Sequence, residues 1–300
     1  MVVDPRFAFA PKSSPWVEVP RSQIEKAISK QVPEFHPKSR KMLTEADDLE
    51  KAADEVERDN KDEISWSLCF LPSFIASLFR SGFLPIACNM GGDDALYVLL
   101  PKLHAMRCIC SWKDVHVSRK TRRQSSKYYM TFNTCFNRVA DKVNEQHANS
   151  WLYPPLRNAL EVLNKGRGPL ACVVSVELWD IESGELTAGE LGVLVGSVYT
   201  SLTGFCDKNK YSGSGTVQLA ALAGVLREAG ATFWDLGMGL DYKANLGGQD
   251  IPRTDFLKMF RSSACTPYIN LPVGQVSAKE AIASLILWQN QLSCFLLCAK

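Results

Sequence analysis

The ten cysteines include no C-x-x-C pair and the four histidines stand apart at 36, 104, 116 and 147, so the chain lacks the ligand spacing of a structural zinc site. Several thiols lie in apolar runs, as Cys172 does between Ala171 and Val173, where a free cysteine behaves as a small buried hydrophobe. Reduced thiols and a cytoplasmic setting are therefore expected. Long apolar runs are also missing. Met1 to Pro20 carries prolines at 5, 11, 15 and 20 and lacks the apolar core of a signal peptide. Ala281 to Ala299 is uncharged, yet Gln289, Asn290 and Gln291 interrupt it where a bilayer is driest, so a docked C-terminal helix is expected and no membrane. Neither sign of charge dominates. With 34 lysines and arginines against 32 aspartates and glutamates, a net charge of +2 announces no nucleic-acid partner by itself.

The charge that is present is segregated. Acids crowd residues 45–63, whereas 113–127 holds Lys113, Arg119, Lys120, Arg122, Arg123 and Lys127 against the single acid Asp114. A polyanion would meet the second segment. An apolar fraction of 46% over 300 residues supports a sizeable core and one large or two small domains.

The patterning predicts an N-terminal appendage over 1–62 with helices at 21–30 and 44–61, the acids of the second forming a solvated face. A small domain, 63–112, follows. It opens with apolar residues at helical spacing from Leu71 to Arg80, and Gly91-Gly92-Asp93-Asp94 then joins a hairpin whose second strand ends at Pro101. Helices are expected at 131–144 and 155–165, strands at 171–179, 185–195, 197–203 and 232–236, and a helix over 216–228. That order is mixed α/β (α+β), with a larger domain over 113–262 and a tail over 263–300 carrying the apolar helix. Trp234 to Arg253 reads as a strand end, an acid, a glycine-relaxed loop and a helix start. An acid there, Asp235, is expected to face a cleft.

His116-Val117-Ser118-Arg119-Lys120, Ser150-Trp151-Leu152, Ser175-Val176-Glu177-Leu178-Trp179, Glu185-Leu186-Thr187-Ala188-Gly189, Gly192-Val193 and Ile251-Pro252-Arg253-Thr254-Asp255-Phe256-Leu257 follow one another in a telling order. They resemble the leucyl/phenylalanyl-tRNA–protein transferase family over about residues 70–260. The resemblance implies a GNAT-like acyl-N-acyltransferase domain, preceded by a small α/β domain, that uses aminoacyl-tRNA as donor. It implies transfer of leucine or phenylalanine onto the N-terminal α-amine of a protein, marking that protein for degradation, without metal or other cofactor. By the same resemblance Asp235 stands near the attacking amine, and Trp151 at the aminoacyl-adenosine end of the donor. Tyr97 lies beside Val98, which takes the place of a second tryptophan. Arg119, Lys120, Arg122, Arg123 and Lys127 are the expected tRNA contacts, since cations neutralise phosphates with little sequence demand.

This chain departs from the family pattern at three places. Gly237 and Leu240 stand where the family has a glutamine and an asparagine, and Leu202 where it has the glutamate of a Gly-Glu-Ser signature. Glu177 and Glu190, on neighbouring strands, are candidate substitutes for that acid. Two alternatives remain open. Lys210-Tyr211-Ser212-Gly213-Ser214-Gly215-Thr216 resembles the pyrophosphate-cradling loop of acyl-CoA-dependent N-acyltransferases. The three departures also suit a tRNA-binding homologue without catalysis.

Overall fold

Residues 1–105 and 148–172 build the first unit of the computed structural model, and residues 106–147 and 173–300 the second. Residues 2–3, 17–18, 21–31, 42–59, 63–90, 97–147, 150–166 and 168–298 are described. In chain order the strands are β1 Val2–Val3, β2 Val17–Glu18, β3 Leu84–Asn89, β4 Tyr97–Lys102, β5 Met106–Cys110, β6 Tyr128–Phe132, β7 Cys172–Asp180, β8 Leu186–Val195, β9 Val198–Cys206, β10 Phe233–Gly237, β11 Gln249–Pro252 and β12 Val276–Ser277. The helices are α1 Arg21–Gln31, α2 Leu49–Asp59, α3 Pro72–Arg80, α4 Arg119–Gln124, α5 Phe136–Gln146, α6 Pro154–Lys165, α7 Ser214–Glu228, α8 Asp241–Leu246, α9 Arg253–Ala264 and α10 Ala278–Cys298.

In the first unit, α1 buries Ile24 and Ile28 against Trp66, Leu68, Val98 and Leu100. Helix α2 buries Leu49, Ala53 and Val56, which recur at helical spacing and leave its acids outward. Strands β3 and β4 pair antiparallel, and the expected turn at 91–94 lies outside the described residues. Pro101 does not end β4. It sits opposite Pro85 in a pair that exchanges no amide bonds, and its carbonyl accepts from the Ser65 N–H at 2.9 Å. The carbonyl of Trp151 accepts from the Ala87 N–H at 3.3 Å, and α6 packs on α3. Residues 148–172 thus belong with the hairpin, and the stretch expected as one domain over 113–262 is divided between the units.

The second unit is built on an eight-stranded sheet in the order β11-β5-β10-β9-β8-β7-β6-β12. Strands β9 and β10 are parallel, and α7 makes the crossover that a parallel neighbour requires. β5 runs antiparallel to β10 and β11, β8 to β9, and β6 to β7 and β12. Thr131, expected in a helix, lies in β6 instead. Glu177 of β7 accepts the N–H groups of Thr134 and Cys135, both at 3.2 Å, and so fixes the start of α5 at Phe136.

The C-terminal helix is part of this unit and not a tail. Gly224 of α7 lets the backbone of α10 come so close at Ala281 that a Cβ there would collide with it. Gln289 donates to the Trp112 and Val115 carbonyls, both at 2.9 Å. No helix among the described residues is long and apolar enough to cross a membrane.

Candidate functional site

Where β9 meets β8 the register slips. Glu190 pairs with Gly204 and Leu191 with Thr203, but Gly192 pairs with Ser201, so Leu202 is one residue too many on β9. Such a bulge interrupts the alternation of side chains at the slip. Residues from Ser201 to Cys206 line one cavity of about 390 Å³ within the second unit. Glu190 forms part of its wall, Gln218 and Leu219 of α7 another, and Leu236, Tyr242 and Lys243 a third.

Glu190 is the carboxylate of this cavity. One oxygen accepts from the Tyr199 and Ser201 hydroxyls, each at 2.8 Å, and the other from the Gln218 amide at 3.1 Å. Gly192 makes the first of these bonds attainable, because a Cβ there would run into the Tyr199 phenol. Burial pushes the Glu190 carboxyl above its usual range, partly offset by the three donors and by the charge of Lys243. The Lys243 Nζ donates to the Leu236 carbonyl at 2.5 Å and the Met238 carbonyl at 2.8 Å. Burial holds this amine below the usual lysine range.

Asp235 does not face the cavity. It pairs across the parallel ladder with Thr200, whose hydroxyl donates to it at 2.9 Å, while Trp234 pairs with Tyr199. Successive side chains alternate between faces, so Asp235 lies on the face opposite Tyr199 and its partner Glu190. There the Asp235 carboxylate accepts from Arg107 Nε at 2.9 Å, from Arg107 Nη2 at 2.8 Å and from the Gly237 N–H at 2.8 Å. The Arg107 guanidinium in turn stacks 4.4 Å from the centre of the Phe256 ring. Both charged groups are buried, so the cleft-facing acid expected from the sequence is a structural ion pair.

Glu177, the other candidate substitute, is committed as well. Besides capping α5 it accepts from the Thr131 and Ser175 hydroxyls, each at 2.7 Å. Gly237 adopts φ +74°, a left-handed backbone that disfavours the glutamine of the family pattern. Its neighbour Leu236 is the extra residue of a second register shift, against β5, and lines the cavity.

The basic segment folds as α4, capped by the Ser118 hydroxyl on the Thr121 N–H at 3.1 Å. Arg119, Lys120, Arg122, Arg123 and Lys127 are all exposed, and none forms an ion pair among the described residues. Gln124, at the end of α4, donates to the Ser212 carbonyl at 3.2 Å, and Gly215 and Thr216 just beyond that turn line the cavity.

The same turn carries the residues on which the acyl-CoA alternative rests. Lys210 is held on both oxygens of Glu185, at 2.7 and 2.8 Å, and the Gln124 side chain covers Gly213.

Trp151 and Tyr97 belong to the first unit. Both are half-buried, and the Tyr97 ring lies 5.4 Å from that of Tyr153, two residues beyond Trp151. Lys243 and Tyr242, which sequence reasoning passed over, carried only a weak signal: a lysine and an aromatic just past a glycine-rich strand end.

Residues 109–261 match the family described as leucyl/phenylalanyl-tRNA protein transferase. A leucyl/phenylalanyl-tRNA–protein transferase of Novosphingobium aromaticivorans is 27% identical over 223 residues, covering 72% of this chain and 77% of that one. Another, from Zymomonas mobilis, is 24% identical over 220 residues, with the same shares of each chain, 72% and 77%. Among solved structures, the C-terminal domain of a putative lysylphosphatidylglycerol synthetase from Agrobacterium fabrum is similar at 15% identity and a TM-score of 0.34, over 83% of this chain and 78% of that one. So slight a likeness adds nothing to the strand order above.

Proposed function

Since this chain belongs to the leucyl/phenylalanyl-tRNA protein transferase family, we propose that it moves leucine or phenylalanine from aminoacyl-tRNA onto the N-terminal α-amine of a protein, marking that protein for degradation in the cytoplasm. The observation that carries this reading is the cavity beside the parallel β9–β10 pair, with a buried carboxylate and a half-buried amine in its wall. The crossover α7 and the bulged β9 support reading the second unit as a GNAT-like acyltransferase domain.

The donor ester is already activated. What the site must supply is alignment of amine and carbonyl, a proton acceptor and stabilisation of the tetrahedral oxyanion. The apolar wall of Leu202, Phe205, Leu219 and Leu236 suits the side chain of a transferred leucine or phenylalanine. Glu190 supplies the acid that Leu202 lacks, from the neighbouring strand, and draws a cationic acceptor into the cavity. The exposed cations of α4 hold the tRNA phosphates, while Trp151 and Tyr97 stack on the adenosine end. Asp235 acts at a distance from the chemistry by fixing Arg107 and the Leu236–Gly237 turn.

The test is a matrix of charged tRNAs against peptides that differ in their first residue, with acyl-CoA donors in parallel. Leucine or phenylalanine transfer to a peptide α-amine is expected. Binding of tRNA with no transfer from any charged form would assign a non-catalytic role, and transfer from acyl-CoA alone would refute the donor.

A further inference from the structure

Lys243 is a half-buried amine in the cavity wall whose hydrogen-bond acceptors are neutral. Its two acceptors are the carbonyls of Leu236 and Met238, and no carboxylate lies within ion-pair distance of it among the described residues. Two acceptors engage two N–H bonds. An amine that gives up its third proton keeps both bonds and gains a lone pair, so the side chain stays in place in either protonation state. The charged and titratable groups around it oppose one another. Glu190 of β8, Cys108 of β5 and Asp235 of β10 favour the ammonium, Arg107 of β5 disfavours it, and the Tyr242 ring lies 5.7 Å away. Burial outweighs them and holds the amine below the usual lysine range.

From this geometry, and resting on the transfer reaction proposed above, we infer that Lys243 accepts the proton of the attacking α-amine. The amine nitrogen bonds to the ester carbonyl carbon and the ester C–O bond breaks. The proton shed by the nitrogen passes to the neutral Lys243 amine, and from the resulting ammonium to the departing ribose oxygen, which leaves as a hydroxyl. Turnover restores the neutral amine. Gly237, which cannot carry an amide side chain, and Lys243, which reaches back to the carbonyls on either side of it, are then two halves of one arrangement.

The experiment compares the full-length wild type with Lys243→Met and Lys243→Arg in single-turnover transfer from charged tRNA to peptide, over about pH 6 to 10. Lys243→Met is expected to lower the transfer rate about 100-fold or more, with tRNA affinity unchanged. Lys243→Arg keeps both carbonyl bonds but holds its proton, so it folds and is expected to be equally slow. Added ethylamine should restore part of the methionine variant's rate, rising with pH through the ionisation of the added amine. Three results would overturn the inference: a methionine variant within about threefold of wild type, an arginine variant at wild-type rate, or a slow methionine variant insensitive to ethylamine. Should the wild type itself transfer nothing from any charged tRNA, the transferase reading fails and this assignment falls with it.

Discussion

The side chains of Asp235 and Glu190 are both carboxylates in the same sheet, and their neighbours give them opposite duties. Asp235 meets a buried guanidinium, a hydroxyl and an amide N–H, and contributes by keeping that guanidinium paired. Removing one partner of such a pair leaves an uncompensated buried charge, so Asp235→Asn is expected to cost about 3–5 kcal/mol in urea unfolding. A loss below about 1 kcal/mol would mean that the pair is not structural. Glu190 meets only neutral donors at hydrogen-bond distance, and burial raises its folded carboxyl above the ordinary value of 4.5. The folded state therefore holds this proton to higher pH than the unfolded chain does, and wild-type stability falls as pH rises from 4.5 through the folded value. Glu190→Gln removes that loss while keeping an oxygen for Tyr199 and Ser201. Melting temperatures of the two proteins should coincide below pH 4.5 and separate above it in favour of the variant. Coinciding curves throughout would show that the burial of Glu190 carries no such linkage.

At the scale of elements, sequence patterning locates β7, β8, β9, β10 and α7 to within a few residues, because each is a clean apolar run or helical repeat between glycine-bearing turns. It misses β5 and β6. β5 carries Arg107 in its middle, and that charge is tolerable only because Asp235, far along the chain, comes to meet it. β6 is hidden by its own good helical spacing, since Phe132, Phe136, Val139 and Val143 suit a helix beginning near Thr131. What stops the helix short is Glu177, contributed by a strand that the chain reaches only later. The facing of Asp235 was equally illegible, because which side of a strand meets the cavity is settled by its neighbours and by bulges at Leu202 and Leu236. The turn after β10 offers a test. Gly237→Gln restores the side chain of the family pattern but must adopt φ +74°, at a cost of about 1–2 kcal/mol. Lower thermal stability with no gain in transfer rate is expected, and a faster enzyme would show that the missing amide limits catalysis.

Across the whole chain the net charge is only +2, so any attraction to a polyanion must come from where the cations stand. The second unit concentrates exposed, unpaired cations on α4 and at Lys127, and Gln124 ties the end of that helix to the turn leading into the cavity wall. Each phosphate neutralised by such a cation releases bound counterion, so affinity falls as salt rises, with a log–log slope of about −0.7 to −0.9 per contact. Replacing Arg119, Lys120, Arg122 and Arg123 by glutamine should therefore make the slope for tRNA binding less negative by about 3 if all four reach phosphates. The capping Ser118 and the buried Thr121 are untouched, so the helix and its packing on α7 remain as controls, read by circular dichroism. Filter binding at several salt concentrations gives the slope directly. A fourfold variant with the wild-type slope would place the RNA on another surface. A reduced slope with unchanged single-turnover transfer at saturating tRNA would separate the steering proposed for α4 from the chemistry proposed for the cavity.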